Sequence, residues 1–124
     1  MTWFVASLVM SIRIKSGVQF ELPVYENFVL MEGESSDVAL KKAIAIGKKE
    51  ELINDDLELD GLPARMCFEG IRKLINVSNP EPLDLDGDQP VSGTELTYSQ
   101  YLIQGEEALK SLVNGDEVEL KYIE

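Results

Sequence analysis

Between Trp3 and Met31 apolar and polar residues alternate with a period of two. Phe4, Ala6, Leu8, Met10, Ile12 and Ile14 form one apolar row, while the row between them, Trp3, Val5, Ser7, Val9, Ser11, Arg13 and Lys15, turns polar towards its end. An apolar residue at every second position marks a strand with one buried face. Val18, Phe20, Leu22, Val24, Phe28 and Leu30 repeat the pattern against Gln19, Glu21, Pro23, Tyr25 and Asn27, so two antiparallel strands are expected to meet near Ser16-Gly17. A two-residue loop there would set Arg13 against Phe20 and Ile12 against Glu21. A three-residue loop, Lys15–Gly17 with Gly17 left-handed, sets Ile14 against Val18, Ile12 against Phe20, Met10 against Leu22, Leu8 against Val24 and Phe4 against Phe28. Because a slip of one residue would turn a whole apolar row to water, the pattern predicts the three-residue loop. Glu26 then falls opposite Ala6. It is either a solvent-reaching side chain at the sheet margin or near a bulge at Pro23, or a partly buried carboxylate paired with Arg65 or Arg72.

Beyond Gly33, Ser35 or Ser36 followed by Asp37 is a helix start, and Leu40, Ala43, Ile44 and Gly47 recur at helical spacing with Lys41, Lys42, Lys48 and Lys49 on the wetter side. A helix over about 36–52 is expected to cover one face of the sheet. Asn54 to Gly61 is acidic, runs into Leu62-Pro63 and reads as a loop. Next comes a strand in which Met66 and Phe68 share a face, Ile71, Ile75 and Val77 share a shifted one, and Gly70 marks a bulge between them. Ser78 to Ser92, with Pro80, Pro82 and Pro90, is a long loop. Glu95 to Ile103 reads as a strand, and Gly105 to Val113 as a short helix with Leu109, Leu112 and Val113 inward, closed by Asn114-Gly115. Glu117 to Ile123 is a last strand. The order β-β-α-β-β-α-β predicts one α+β domain over 1–124, a mostly antiparallel sheet with helices packed on one face as a two-layer sandwich.

Charge and composition narrow the chemistry. The formal net charge is -12, and only the stretch 61–79 carries more cations than carboxylates. Such a surface repels phosphate backbones, which excludes nucleic acid as the partner and favours a basic protein or a cation, although acidity also serves plain solubility. The chain has no histidine, which removes histidine-dependent nucleophilic and acid–base catalysis and the usual imidazole metal sites. A single cysteine, Cys67, allows no internal disulfide, fits a cytoplasmic setting and reads as a small buried apolar residue rather than a nucleophile. The N-terminal apolar run lacks a preceding basic segment and alternates like a strand, so neither a signal peptide nor a membrane span is expected.

The candidate sites are few. Asp84, Asp86 and Asp88 alternate in the long loop, with Ser92 and Glu95 at the ninth and twelfth positions of an EF-hand count. However, Gln89 stands where a glycine should make the turn and Pro90 follows it, so a solvated acidic loop is the competing reading. Trp3, Tyr25, Tyr98 and Tyr101 form an aromatic surface if the outer faces of their strands coincide, or else complete a core or dimer interface. Glu26, Glu69 and Arg72 are the residues around which a carboxylate-based enzyme or small-ligand site would be built, provided the two carboxylates converge.

The opening Trp3-Phe4-Val5-Ala6, the Ser35–Gly47 helix with Ala43 and Gly47, the segment Phe68 to Leu74 and the strand Gly93 to Ser99 together resemble the bacterial family catalogued as domain of unknown function 4288, over nearly the whole chain. The resemblance implies no activity, cofactor or catalytic residue. Three readings remain open. The first is a non-enzymatic acidic module that binds a protein partner, a basic one on the charge argument. The second is a small carboxylate enzyme or ligand-binding domain. The third is a homodimer through the outer strand face carrying Val5, Val9, Val29 and Met31.

Overall fold

The structure is a computed structural model that describes residues 2–77 and 90–123. Its architecture is α+β. A four-stranded antiparallel sheet has the order β2-β1-β4-β3, made of β1 (Thr2–Ile14), β2 (Val24–Gly33), β3 (Leu57–Leu59) and β4 (Leu62–Val77). Helix α1 (Ser36–Ile53) lies between β2 and β3 in sequence. A second, two-stranded sheet pairs β5 (Gln100–Leu102) with β6 (Lys121–Ile123) around helix α2 (Gly105–Asn114).

Strand β1 is central, and its even row behaves as the alternation predicts. Phe4, Ala6, Leu8 and Met10 are at most 5% exposed and pack with Met31, Ala39 and Ala43, with Ile46, Met66, Phe68, Ile71 and Leu74 around them. Helix α1 covers this face. Ser35 caps it by accepting a hydrogen bond from the Val38 amide at 3.3 Å, and Asp37 sits in the first turn. The buried stripe is Ala39, Ala43 and Gly47, so the helix is rotated from the expected Leu40–Ile44 phase and Leu40 is exposed. Small residues line this stripe because the backbone comes close to the sheet. A Cβ on Gly47 would lie 2.5 Å from Phe68 Cε1 and 2.8 Å from its Cγ.

The expected tight hairpin is replaced by a nine-residue connection, Lys15 to Pro23, and the register moves with it. Phe4 faces Met31, Ala6 faces Val29, Met10 faces Tyr25, and Glu26 faces Val9 rather than Ala6. Even residues of β1 therefore share a face with odd residues of β2. The apolar row Val24, Phe28 and Leu30, expected to point inward, points away from α1. The cause lies in Gln19. Its amide accepts from the Ile14 backbone N–H at 3.0 Å and donates to the carbonyls of Ile12 at 2.9 Å and Glu21 at 3.0 Å. These bonds occupy backbone groups that a tight hairpin would have paired, and the ladder begins only at Ser11 opposite Val24. Gly17 keeps the positive φ, 102°, expected of a bend residue, within a longer loop.

Three further differences have local reasons. Asn54 to Gly61 is not only loop: Leu59 pairs with Leu62 across Asp60-Gly61, whose φ values of 52° and 80° suit a tight two-residue turn. The bulge expected at Gly70 is present, with Glu69 as the extra residue, and a second bulge follows at Arg72. The two shifts together return Leu74 to the α1 face, so Ile71 and Leu74 pack in the core while Ile75 and Val77 lie on the other face. The strands expected over Glu95–Ile103 and Glu117–Ile123 shorten to three residues each. They pair with each other and not with the main sheet. Helix α2 closes as expected, with Gly115 left-handed and its N–H on Leu112 O at 3.2 Å, but it buries no residue, and Leu109 and Val113 are exposed.

Candidate functional site

The face of the sheet away from α1 carries the long side chains of Glu26, Glu69 and Arg72. Ser7 and Ser11 project from β1 onto this face and are 1% and 0% exposed. Ser7 Oγ donates to Glu26 Oε2 at 2.5 Å, and Arg72 Nε stands 3.8 Å from the same oxygen. Ser11 Oγ donates to Glu69 Oε2, and the Arg13 guanidinium reaches that oxygen with Nε at 3.0 Å and a terminal nitrogen at 2.9 Å. The sheet thus carries two serine–carboxylate–arginine groups, one on each side of β1. The bulges supply one member of each: Arg72 in the first and Glu69 in the second are the extra residues, lifted out of the alternation so that their side chains can lie over the serines.

Of the expected site residues, Glu26 does pair with an arginine, and that arginine is Arg72 rather than Arg65. Arg65 sits directly opposite Arg13 across the ladder, a like-charge pair that Glu69 offsets. Glu26 and Glu69 share a face but do not converge. Their serines are four positions apart on one strand, about 13 Å, and neither carboxylate lines the recess around Arg13 and Arg65 or the one around Arg72 and Lys73. Both serine hydroxyls are shut off from solvent and spend their protons on carboxylates, an arrangement that fixes charge in place. Cys67, expected to be buried, is half-buried and free opposite Ser11.

The hydrogen bond from Ser11 and then the Arg13 guanidinium hold the Glu69 carboxyl below its ordinary pKa. A lowered folded-state value stabilises the protein above the unfolded value, and this contribution disappears as pH falls through the folded value. Chemical denaturation of Glu69→Gln should therefore show a stability deficit near neutral pH that closes as the solution is acidified below about pH 4. A deficit that is flat with pH would leave the ion pair without a role.

A second cluster joins β4 to the small sheet. The Arg72 guanidinium carbon lies 4.1 Å from the centre of the Tyr122 ring, and Tyr101 meets that ring edge-on at 5.7 Å. Lys73 Nζ donates to the Tyr98 carbonyl at 2.7 Å and stands 5.5 Å and 5.1 Å from the Tyr98 and Tyr122 ring centres. The Tyr122 hydroxyl is buried and has no hydrogen-bond partner of good geometry among the described residues. Lys73, then Arg72 and Ser99, nevertheless hold its pKa below the usual tyrosine value against the opposing effect of burial. The expected aromatic surface does not form as one patch. Trp3 and Tyr25 point to opposite faces of the sheet, and Tyr98 and Tyr101 belong to the Tyr122 cluster.

Ser7, Ser11, Arg13, Lys73 and Tyr122 are the members that sequence reasoning passed over. Their signal was present for the serines, which interrupt the apolar row Val5-x-Ser7-x-Val9-x-Ser11. Of the calcium candidates, Asp84, Asp86 and Asp88 lie outside the described residues, and Glu95 is exposed in coil. Among the described residues no group of carboxylates or cysteines is placed to hold a metal ion, and no helix is long and apolar enough to cross a membrane.

The edge strands differ in how they end. Beyond β3, the free edge of β4 is capped from α1: Glu51 accepts from the Phe68 N–H at 2.7 Å, and the Asn54 carbonyl accepts from the Met66 N–H at 2.8 Å. Among the described residues the edge of β2 is less capped. Its Glu32 carbonyl accepts from Lys42 Nζ at 2.7 Å, while Val24, Phe28 and Leu30 are 55%, 49% and 42% exposed.

No curated protein matches the chain, and no solved structure does. The family described as "Domain of unknown function (DUF4288)" matches residues 3–84. That match takes in the opening tetrapeptide, α1 and the Phe68–Leu74 segment that carry the resemblance, and stops before Gly93–Ser99. With more than half of its length matched, from β1 through the doubly bulged β4, the chain belongs to the DUF4288 family.

Proposed function

We propose that the chain is a cytoplasmic, non-enzymatic protein-binding module whose edge strand β2 accepts an extended segment of a basic partner as an added strand. The observation that carries this reading is β2 itself: an edge that, among the described residues, only Lys42 caps, with a half-exposed apolar row, on a sheet whose other edge is capped. Strand addition draws affinity from main-chain hydrogen bonds and specificity from alternate side chains. Val24, Phe28 and Leu30 offer that alternation. Charge selects the partner. From Ser16 to Leu40 the chain contains Glu21, Glu26, Glu32, Glu34 and Asp37 and no lysine or arginine. A second copy docking on this edge would bring carboxylates against carboxylates, whereas a basic strand would be drawn in, quickly and with strong salt dependence.

A ten-residue peptide of alternating lysine and valine is a sufficient probe. It should bind at low ionic strength, release as salt is added, and slow hydrogen exchange at the backbone amides of Val24–Gly33; a glutamate–valine peptide should do none of these. Absence of binding at low salt, or protection that spares β2, would refute the reading. A dimer mass by light scattering at micromolar concentration would replace it with self-association.

A further inference from the structure

Where β1 passes into its connection to β2, the sheet ends in an open recess of about 470 Å³ lined by Arg13, Ile14, Lys15, Asp55 and Arg65. That volume lies within the range of about 300–1,000 Å³ usual for small-ligand sites. Three of the five lining residues are cations, in a chain of net charge -12. Among the described residues no aromatic ring lines the recess, and Ile14 is the only apolar residue in its walls.

This cluster is unfavourable on its own. Arg13 and Arg65 stand directly opposite each other across the β1–β4 ladder, and like charges so placed repel. Glu69 answers only one of them: Nε and one terminal nitrogen of Arg13 lie 3.0 Å and 2.9 Å from its Oε2. Arg65 keeps its whole fork of donors and Lys15 its ammonium donors, because among the described residues neither side chain has a hydrogen bond or an ion pair. Asp55 lines the same recess and pairs with none of the three cations. Backbone bonds fix where these groups stand. The Lys15 N–H continues the ladder by donating to the Pro63 carbonyl at 2.9 Å, and Asn54, next to Asp55, is tied to β4 by accepting from the Met66 N–H at 2.8 Å. Charges of both signs therefore surround one space without neutralising each other across it.

We infer that this recess binds a small phosphorylated polyol of the sugar phosphate class, its phosphoryl group among Arg13, Lys15 and Arg65 and its hydroxyls on Asp55. The phosphoryl group follows from the cations. Its three oxygens can be met at once by two guanidinium groups and an ammonium, where a carboxylate offers two. The hydroxyls follow from Asp55, since an ionised carboxylate only accepts hydrogen bonds and repels a bare anion. A nucleotide fits less well, because its base would find no ring to stack on. The site shares no residue with the β2 edge, so either reading can fail alone.

Glucose 6-phosphate, whose size suits a recess of this volume, is the probe. It is titrated into the isotopically labelled full chain and followed by amide chemical shifts, with glucose and inorganic phosphate as controls. The sugar phosphate should move the amides of Ile14, Lys15, Asp55 and Arg65 at millimolar concentration, and each control should do so at least about tenfold more weakly. Arg65→Gln, which also removes the like charge opposite Arg13 and so keeps the fold intact, should weaken the sugar phosphate by roughly ten- to a hundred-fold, the loss expected for a charged hydrogen bond. Asp55→Ala, on an exposed residue, should cut the preference for the sugar phosphate over inorganic phosphate by about tenfold. Vesicles bearing phosphatidylinositol phosphate distinguish a free sugar phosphate from a lipid headgroup. The net charge of -12 opposes approach to an anionic bilayer, so the chain should not sediment with them. No shift with the sugar phosphate, equal shifts with glucose or with inorganic phosphate, undiminished binding in Arg65→Gln, an unchanged preference in Asp55→Ala, or sedimentation with the vesicles would each overturn the site as assigned.

Discussion

Replacing Gly47 with alanine should destabilise the protein by about 2 kcal/mol, although alanine is the best helix former and glycine among the worst. On an exposed helix the change would stabilise by up to about 1 kcal/mol. Here the new methyl would meet the Phe68 ring at 2.5 Å and 2.8 Å, well inside the roughly 3.5–4.0 Å at which carbon atoms attract. Either the ring or the whole of α1 must retreat. Phe68 faces Met10 across the ladder and Met10 is fully buried, so the ring cannot swing freely inward. Overpacking of this kind costs about 1–3 kcal/mol or more, and three ring atoms in conflict place it at the upper end. Denaturant unfolding of Gly47→Ala, Phe68→Leu and the double variant measures the conflict. The double variant should recover much of the loss, because the smaller side chain leaves room for the methyl. Simple additivity of the two losses would mean that helix and strand are not in the close contact described.

The second large effect separates two ways of joining β1 to β2. Met31→Ala should cost about 2–4 kcal/mol, as expected for emptying a buried methionine site, since Met31 is 6% exposed opposite Phe4. Phe28→Ala should cost under about 1 kcal/mol, because its ring is 49% exposed on the far face. Under the tight-hairpin register the ranking would be the reverse, with Phe28 facing Phe4 in the core. Unfolding midpoints of the two variants decide the register without further structural work. Phe28→Ala should also weaken the lysine–valine peptide, linking an inexpensive stability change to a lost contact.

Much of the fold was legible. The alternation of β1, the Ser35 cap, the span of α1, the bulge beside Gly70 and the Asn114-Gly115 stop each follow from a local rule, and each is present. The register of β2 was not legible, because both of its rows can serve. Val24, Phe28 and Leu30 look like a core row, but Val29 and Met31 in the other row do the packing. What decided between them was Gln19, a side chain taking the place of a strand, and alternation carries no trace of that. The Asp60-Gly61 turn was readable and was hidden by the acidic run around it. The site was less accessible still. Glu26 and Arg72 could be paired by charge, but the roles of Ser7 and Ser11 depend on two extra residues in β4 that move Glu69 and Arg72 over them.

Those two insertions are independent of one another in the geometry of the strand. Each is the residue of its bulge that faces no partner on β1, so removing Arg72 alone would leave Lys73 opposite Ser7 and Leu74 opposite Ala6 and simply straighten the strand. Such a deletion would erase the charge beside Ser7 and spare the packing under α1. Related chains should therefore gain or lose either residue singly without any exchange of faces along β4.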